Sequence, residues 1–259
     1  RKIKGTSVAL TFWPHPQKKE SLYSLKHRLR LIAELGIDVC IVVNFNRSFA
    51  KISAHDFIAE ILVKKIGVSF VYVGKNFRFG NLALGDYRLL KACAKRYNFK
   101  LKVFSVVKSK GKPISSTAIR KLIKQGKIKE AQDLLARPVS VLGSVIKGSR
   151  LGRILGFPTA NIDPHHEVIP PAGIYAVQVI LSGKRYAGIC YIGFRPTISP
   201  GNKSMHVEVH IFEFHRDIYG KFLEIQFKKL IRSDQKFASL KTLAAQIKKD
   251  IVSCRRIIS

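Results

Sequence analysis

The spacing of apolar residues predicts different elements in the two halves of the chain. In the first half, continuous apolar runs predict buried strands over residues 7–12, 37–45, 68–73 and 101–107. Between these runs, apolar residues at helical spacing predict helices over residues 22–35, 53–67, 86–97, 116–125 and 128–136. Strands that alternate with helices predict a parallel α/β sheet covered on both faces, in which ligands bind at the carboxyl ends of the strands.

The pattern changes after Arg137 and Pro138, where we place a domain boundary. Short apolar stretches separated by turns predict strands over residues 139–146, 174–181, 185–192, 207–212 and 222–229. A single helix follows, and the residues on its predicted apolar face are Leu240, Leu243, Ile247 and Ile251. Many short strands and one terminal helix predict a small antiparallel β-barrel. We therefore expect an α/β domain over residues 1–138 and a barrel domain over residues 139–259.

The composition is typical of a folded protein from a reducing compartment. Apolar residues make up 46% of the 259 residues, which is enough for a buried core. Four cysteines occur without a CxxC pair, which argues against structural zinc and favours a cytoplasmic location. No apolar run is long enough to cross a bilayer, so no membrane partner is expected. Because the sequence opens on Arg1 without a methionine, we expect it to be a fragment.

The charge is strongly basic, with 47 Lys and Arg residues against 16 acidic residues and a formal net charge of +31. Such an excess attracts polyanions, including nucleic acid and nucleotide phosphates. The alternative is a set of solvated lysine-rich faces with no dedicated partner. The basic residues are spread along the whole chain, without a basic tail or an RNA-binding aromatic motif, and this favours the alternative. We therefore expect no dedicated nucleic-acid partner.

A stretch rich in glycine opens the predicted barrel. It nearly matches the phosphate-binding pattern GxxxxGK[ST], but Ser149 and Arg150 stand where Lys and Ser or Thr are required. It also ends a strand without opening a helix, so we reject a P-loop. Two interpretations remain, an ordinary turn or an arch whose backbone N–H groups approach a phosphate closely. The glycines concerned are Gly143, Gly148, Gly152 and Gly156.

Thr159 and Asn161 follow this stretch directly. Pro158 disfavours helix at Phe157, and in extended backbone Thr159 and Asn161 point to the same side. A hydroxyl and an amide oxygen suit Mg²⁺, which takes hard oxygen ligands and shares them with substrate phosphates. The alternative is a turn in which both side chains hydrogen-bond to nearby backbone, and spacing alone favours that alternative.

Polar and apolar residues alternate over residues 205–211, which places His206, Glu208 and His210 on one face of a strand. A metal site made of all three is strained, because residues four apart in a strand are separated by about 13 Å. Metal–nitrogen bonds are only about 2.1 Å long. A single carboxylate that acts as general base from Glu208 is easier to build. From the residues alone, a solvated strand face is favoured.

The motif GKNFRFG, residues 74–80, follows a predicted strand at the edge where ligands bind. Arg78 could grip a phosphate while Phe77 or Phe79 covers a base. Equally, the two rings could anchor the loop to the core.

A second motif, ISSTAIR at residues 114–120, places three hydroxyls at a helix start and an arginine one turn later. Free N–H groups at a helix N-terminus bind anions. The alternative is simple N-capping by a serine or threonine, and the spacing does not decide between the two.

Taken together, these motifs resemble the bacterial bifunctional riboflavin kinase/FMN adenylyltransferase (FAD synthetase) family, in the same order and over nearly the whole chain. The stretches similar to the adenylyltransferase half are TFWPHP (11–16), residues 74–80 and residues 114–120. Those similar to the kinase half are GRILGFPTAN (152–161), IGFRPT (192–197), VEVHIF (207–212), IRSDQKF (231–237) and QIKKD (246–250). The resemblance implies a Rossmann-like nucleotidyltransferase domain, incomplete at its N-terminus, followed by a riboflavin-kinase barrel with a C-terminal helix.

For the kinase half, the resemblance implies phosphorylation of riboflavin to FMN by ATP. Thr159 and Asn161 are then expected to hold the Mg²⁺ of MgATP, and Glu208 to take the proton from the ribityl 5′-hydroxyl. The residues expected to cradle the nucleotide are Gly148, Gly152, Arg153, Phe157 and Pro158. Arg195 is expected in a loop that closes over the substrates, near Tyr191, which stands where the family often has Asn.

For the other half, the resemblance implies transfer of an adenylyl group from ATP to FMN. The implied nucleotide-binding residues are Asn76, Phe77, Arg78, Ser115, Ser116, Thr117 and Arg120. However, the sequence contains no His-x-Gly-His motif, which related nucleotidyltransferases use to stabilise ATP phosphates, and Asn76 stands where Asp is common. We therefore expect that segment to lie upstream of Arg1, and FAD formation by these residues to be slight. The expected partners are riboflavin, FMN and ATP.

Overall fold

A computed structural model describes residues 5–14, 20–109, 111–148, 151–195 and 204–258. The described residues form two compact units. The first comes from the described parts of residues 1–18 and 32–114, and the second from those of residues 19–31 and 115–259. Within the described residues, no helix is both long and apolar enough to cross a membrane.

The first unit contains two pairs of parallel strands. β1 (Val8–Trp13) pairs with β2 (Val39–Asn44), with Val8 opposite Val39. β3 (Phe70–Gly74) pairs with β4 (Lys100–Phe104). The predicted parallel pairing is therefore present. Among the described residues it forms two separate two-stranded sheets rather than one, because no hydrogen-bonded ladder joins the pairs.

Side-chain caps begin α2 (Arg47–Ala50), α3 (Ala54–Asp56, continued by a π-helix over Phe57–Lys65) and α4 (Tyr87–Arg96) in the first unit. A 3₁₀ turn (Asn81–Ala83) begins after Gly80 without such a cap. Ser53 is the N-cap of α3, because its hydroxyl accepts from the Asp56 N–H at 3.0 Å and donates to the Asp56 carboxylate at 2.7 Å. A buried cluster of Phe57, Ile58 and Leu90 forms the core.

Short elements connect the predicted α/β and barrel regions. β5 (Lys108–Ser109) and β6 (Lys112–Pro113) form a small hairpin in the first unit. In the second unit, α5 (Ser116–Lys124) and α6 (Ile128–Leu135) follow. The early helix α1 (Leu25–Glu34) begins within the second unit as well, because residues 19–31 group with the barrel.

The second unit is a closed barrel of antiparallel strands, which confirms the predicted fold. Its strands are β7 (Ser140–Ile146), β8 (Ala160–Asp163), β9 (Gly173–Leu181), β10 (Lys184–Arg195), β11 (Ser204–Ile211) and β12 (Phe222–Ser233). The order around the barrel is β10-β11-β8-β7-β12-β9. β8 is absent from the strands predicted from the sequence, because it is only four residues long and follows Pro158.

Two helices accompany the barrel strands. α7 (Leu151–Ile154) is a single turn before β8, and α8 (Leu240–Ile258) ends the described chain. α8 is fixed to the barrel at two places. Arg232 of β12 forms an ion pair with Asp250 at 2.8 Å, and the Cys254 thiol donates to the Gly188 carbonyl at 3.1 Å.

Candidate functional site

Thr159, Asn161 and Glu208 meet on one wall of the barrel. Asn161 of β8 lies directly opposite Glu208 of β11 in the antiparallel register. The Thr159 hydroxyl donates to Glu208 Oε2 at 3.1 Å. The neighbours Val207 and Val209 are buried in the core, so strand alternation directs Glu208 to the outer face of the barrel. The structure therefore brings together a hydroxyl, an amide and a carboxylate from positions distant in the sequence.

The predicted glycine arch packs against these polar groups. A Cβ built on Gly148 would lie 2.0 Å from the Asn161 amide nitrogen and 2.6 Å from its oxygen. A Cβ on Gly152 would lie 2.4 Å from the Phe157 carbonyl oxygen and 3.1 Å from the Thr159 hydroxyl. Real Cβ atoms do not approach so closely. The obstacle at Gly152 is backbone, so that position requires glycine, whereas a Cβ at position 148 would displace the Asn161 side chain. The main chain of the arch consequently lies in direct contact with Asn161 and Thr159.

His210 holds the bend that precedes β8. Its Nδ1 donates to the Pro158 carbonyl at 2.8 Å, and its ring meets the edge of the Phe157 ring with centroids 6.0 Å apart. Within the described ranges, no group of three His, Cys, Asp or Glu side chains is arranged to hold a metal ion. The hypothesis of a metal site built from His206, Glu208 and His210 therefore finds no support, and His210 has a structural contact instead.

A cavity of about 360 Å³ opens beside Thr159. Arg153 and Pro158 line one side, and the loop between β11 and β12, residues 214–219, lines the other. The sequence interpretation missed this loop. The residue types Asp217 and Gly220 were the available signal, since Asp and Gly are typical of tight turns. In the structure Asp217 accepts from the Tyr219 N–H at 2.9 Å, and Gly220 has φ +72°.

Tyr191 lies directly opposite Glu208 on β10 and shares its outward face. Its ring lies over Gly193, where a Cβ would come within 1.9 Å of the phenol oxygen. The hydroxyl donates to Asp234 at 3.5 Å, a long hydrogen bond. Burial, followed by the charges of Asp234 and Glu208, raises the pKa of Tyr191 above its ordinary value. The site wall thus contains an aromatic residue beside Glu208.

Arg195 is the last residue of β10, opposite Ser204 in the strand register. Residues 196–203, which follow it, lie outside the described residues. The expected closing role of Arg195 therefore stays a prediction.

In the first unit, the loop after β3 is anchored by its aromatic rings. Phe77 and Phe79 stack with centroids 5.4 Å apart, and Phe79 is buried beneath Phe57. Asn76 sits within the turn that the Phe77 N–H closes on the Gly74 carbonyl at 2.9 Å. These contacts agree with the anchoring alternative, and the nucleotide-binding role of Asn76 and Phe77 remains a prediction.

Arg78 points out of this loop and is 56% exposed. Its guanidinium forms an ion pair at 2.9 Å with Asp86, the N-cap of α4. Although partial desolvation works in the opposite direction, N–H groups of α4 and Arg78 together lower the pKa of Asp86. A phosphate bound by Arg78 would have to share it with Asp86.

The serine-rich motif caps α5, which belongs to the second unit. The Ser115 hydroxyl accepts from the Ala118 N–H at 3.2 Å, so Ser115 is the N-cap. Arg120 donates to the Thr117 hydroxyl at 3.2 Å, and Ser116 is the first helical residue. The geometry is that of an ordinary capped helix, and anion binding at these residues remains a prediction.

Comparison with known proteins covers both units. The sequence model of the FAD synthetase family matches residues 1–118, and the model of the riboflavin kinase family matches residues 135–258. The bifunctional riboflavin kinase/FMN adenylyltransferase of Escherichia coli (strain K12) is 39% identical over 235 residues, which cover 90% of this chain and 74% of that protein. The protein of the same name from Buchnera aphidicola subsp. Schizaphis graminum is 38% identical over 254 residues, covering 95% and 81%.

A solved structure shows the same fold. The crystal structure of a protein named Macrolide-efflux Protein, from Streptococcus pneumoniae, aligns with a TM-score of 0.81 and 27% identity. The alignment covers 96% of this chain and 83% of that one. The two family matches, the identities and the coverage agree, and the chain belongs to the bifunctional riboflavin kinase/FMN adenylyltransferase family.

Proposed function

We propose that the barrel unit is a riboflavin kinase, which transfers the γ-phosphoryl group of ATP to the ribityl 5′-hydroxyl of riboflavin and releases FMN and ADP. The observation that carries the proposal is the meeting of Thr159, Asn161 and Glu208 on one wall of a barrel that matches the riboflavin kinase family. Phosphoryl transfer needs little covalent chemistry from the protein, because positioning and charge stabilisation supply most of the catalysis.

Glu208 is the proposed general base. Its Oε2 already accepts a hydrogen bond from Thr159, which fixes the orientation of the carboxylate. The other oxygen, Oε1, takes the proton from the 5′-hydroxyl as the hydroxyl oxygen attacks the γ-phosphorus. The bond between the γ-phosphorus and the bridging oxygen breaks, and ADP leaves with that electron pair.

The residues present fit Mg²⁺, the cation that the family implies. A hydroxyl can donate its hydrogen to a carboxylate and still offer a lone pair to a cation, so the Thr159–Glu208 hydrogen bond is compatible with metal binding. The Asn161 amide packs against the main chain of Gly148, in space that a side chain at position 148 would occupy. Thr159 and Asn161 would therefore hold the ion. When bound, Mg²⁺ neutralises charge on the β- and γ-phosphates.

The cavity beside Thr159 is the proposed nucleotide site. Its volume, about 360 Å³, lies within the range of about 300–1,000 Å³ typical of small-molecule pockets. Arg153 lines it together with Pro158 and can pair with phosphate oxygens. The arch residues Gly148 and Gly152 are the proposed backbone contacts to the phosphates, and Phe157 supports the arch through His210. Tyr191, which lies opposite Glu208, and Arg195, at the end of β10, are the proposed contacts on the flavin side.

A second activity, adenylylation of FMN to FAD, is proposed for the region that matches the FAD synthetase family. The residues proposed to contact the nucleotide are Asn76, Phe77, Arg78, Ser115, Ser116, Thr117 and Arg120. Riboflavin, FMN and ATP are the proposed partners, and the cytoplasm is the proposed location.

The direct test is a product assay with the purified chain. Incubation with riboflavin and MgATP is expected to give FMN, detected by chromatography, whereas omission of Mg²⁺ is expected to abolish it. A folded protein that forms no FMN would overturn the kinase proposal. A parallel incubation with FMN and MgATP tests the second activity separately. FAD is the product expected there, in slight yield because the sequence contains no His-x-Gly-His motif.

The basic charge provides an alternative function, nucleic-acid binding. This alternative predicts binding to RNA that weakens steeply with salt, because counterions are released from the phosphates. Thermal stabilisation by flavin or MgATP at high salt, without salt-dependent RNA binding, would favour the kinase.

A further inference from the structure

His27, in the first turn of α1, is completely buried against the barrel unit. Its side chain is 0% exposed, and its Nδ1 lies 3.0 Å from Glu167 Oε2 and 3.1 Å from Oε1. The two residues are 140 positions apart in the sequence. Because Nδ1 faces two acceptor oxygens, it must carry a hydrogen. None of the steps proposed for phosphoryl transfer uses this imidazole.

The buried Glu167 carboxylate accepts hydrogen bonds from two other parts of the chain. Besides His27, its carboxylate accepts from the Ser24 N–H at 2.8 Å and from the Leu142 N–H of β7 at 3.0 Å. Glu167 itself follows β8, the strand that carries Asn161. It is only 4% exposed, so these donors replace the water that an ionised carboxylate would otherwise need.

A second buried carboxylate lies on the other side of the imidazole. Glu224 of β12 is 4% exposed, and its Oε1 is 3.9 Å from His27 Nε2. Glu224 forms an ion pair with Arg30, one turn after His27 in α1. His27 therefore lies between two acidic side chains, and α1 supplies a basic partner to each of them.

Backbone contacts continue the attachment beyond the charged groups. The Ser21 N–H donates to the His166 carbonyl at 3.1 Å, and the Val168 N–H donates to the Ser21 carbonyl at 2.9 Å. These two hydrogen bonds form an isolated parallel β-bridge between Ser21 and Glu167. The Lys26 ammonium lies 3.3 Å from the centroid of the Phe222 ring on β12.

We propose that residues 20–31, which we name the clamp segment, are a structural part of the kinase unit, fastened to it through His27. The clamp segment falls in the region that matches the FAD synthetase family, whereas the barrel residues named above fall in the riboflavin kinase match. The kinase unit of this chain is therefore stabilised by residues from the other family region. Replacement of His27 leaves a buried carboxylate short of a donor, and such a loss is strongly destabilising.

Amide hydrogen exchange on the full-length chain tests the proposal without reference to catalysis. In His27→Leu, which removes the donor, the amides of Ser24 and Leu142 are expected to exchange at least about tenfold faster than in the unmodified chain, because both donate to Glu167. Amides of strand β3, in the first unit, are expected to keep their rates. His55→Leu is the matched control, since His55 is an exposed histidine of the first unit.

Unchanged exchange at Ser24 and Leu142 in His27→Leu would overturn the proposal. If that variant does not fold, amide exchange in the unmodified chain provides the test. The Ser24 amide is expected to be protected as strongly as the Leu142 amide, because one cooperative unit holds both. Exchange of Ser24 at the rate of a frayed segment, with Leu142 protected, would likewise overturn it. The readout is independent of FMN formation, so failure of the proposed function leaves this test intact.

Discussion

The Thr159 hydroxyl donates a hydrogen bond to Glu208 Oε2 at 3.1 Å, across two neighbouring strands of the barrel. This contact joins the proposed cation ligand to the proposed base. It orients the carboxylate before substrate binds, because one oxygen is engaged and the other stays available for the acceptor hydroxyl of the proposed reaction.

Loss of the Thr159 hydroxyl is expected to weaken cation binding and to release the Glu208 carboxylate from its orientation. In Thr159→Val, which keeps the shape of the side chain, we expect the kcat for FMN formation to fall by about 10- to 100-fold and the KM for MgATP to rise. Steady-state kinetics with varied MgATP measures both effects. Thr6→Val, at an exposed position, is the control. Kinetics identical to the unmodified chain would show that the hydroxyl has no part in the reaction.

Gly148→Ala is expected to displace the Asn161 amide, because the added Cβ would lie 2.0 Å from its nitrogen. We expect the KM for MgATP to rise about tenfold or more, since a displacement of about 1 Å is costly in a positioned site. Gly74→Ala is the matched control, because nothing lies within 4 Å of a Cβ there. An unchanged KM in a folded Gly148→Ala variant would contradict the proposed role of the Gly148–Asn161 packing in MgATP binding.

Gly193→Ala is expected to force the Tyr191 ring off the strand, because the new Cβ would lie 1.9 Å from the phenol oxygen. Overpacking of this kind typically costs about 1–3 kcal/mol, so the Tm should fall by several degrees. In a Tyr191→Ala background, where the ring is absent, Gly193→Ala should cost less stability than in the unmodified chain. An equal cost in the two backgrounds would contradict the close contact between Gly193 and the Tyr191 ring.

Stability of the barrel unit should decrease in acid because of Glu224. Burial works to raise the pKa of Glu224, but hydrogen bonds from Ser140 and Gln226 and the Arg30 charge lower it below its ordinary value of 4.5. A carboxyl whose folded pKa is lowered contributes stability above pH 4.5, and that stability is lost as the pH falls through the lowered value.

Urea unfolding between pH 3 and pH 7 measures this contribution. In Glu224→Gln, the decrease in unfolding free energy below about pH 4.5 should be smaller than in the unmodified chain. The difference between the two curves isolates Glu224 from the other carboxyl groups. If the unfolding free energies of Glu224→Gln and of the unmodified chain fell in parallel with pH, a stabilising role for the ionised Glu224 side chain would be contradicted.

Much of the fold follows from local patterns in the sequence. Short apolar stretches separated by turns predicted the barrel, and apolar spacing predicted a helix over residues 53–67, which the structure begins at the N-cap Ser53. β8 escaped prediction because a strand of four residues after Pro158 carries too short an apolar pattern. The π-helical hydrogen bonding of Phe57–Lys65 also has no signal in the apolar spacing, which would be the same for an α-helix.

The site was only partly predictable, because its geometry depends on strand register. The sequence places Thr159 and Asn161 on one side of an extended segment, but the pairing of Asn161 with Glu208 arises from barrel closure. Likewise, no local pattern indicates that His27 is buried against Glu167, since this contact joins residues 140 positions apart. Long-range contacts of this kind are decided by the tertiary packing alone.

The most direct test of the central claim is the rate of FMN formation by Glu208→Gln. The substitution keeps the size of the side chain and its acceptor oxygen but removes the base, so we expect kcat to fall by about 10²- to 10⁴-fold. The Tm and the affinity for MgATP should stay near those of the unmodified chain. Glu213→Gln, an exposed acid just beyond the same strand, should retain full activity. FMN formation at an undiminished rate by a folded Glu208→Gln variant would contradict the proposed mechanism.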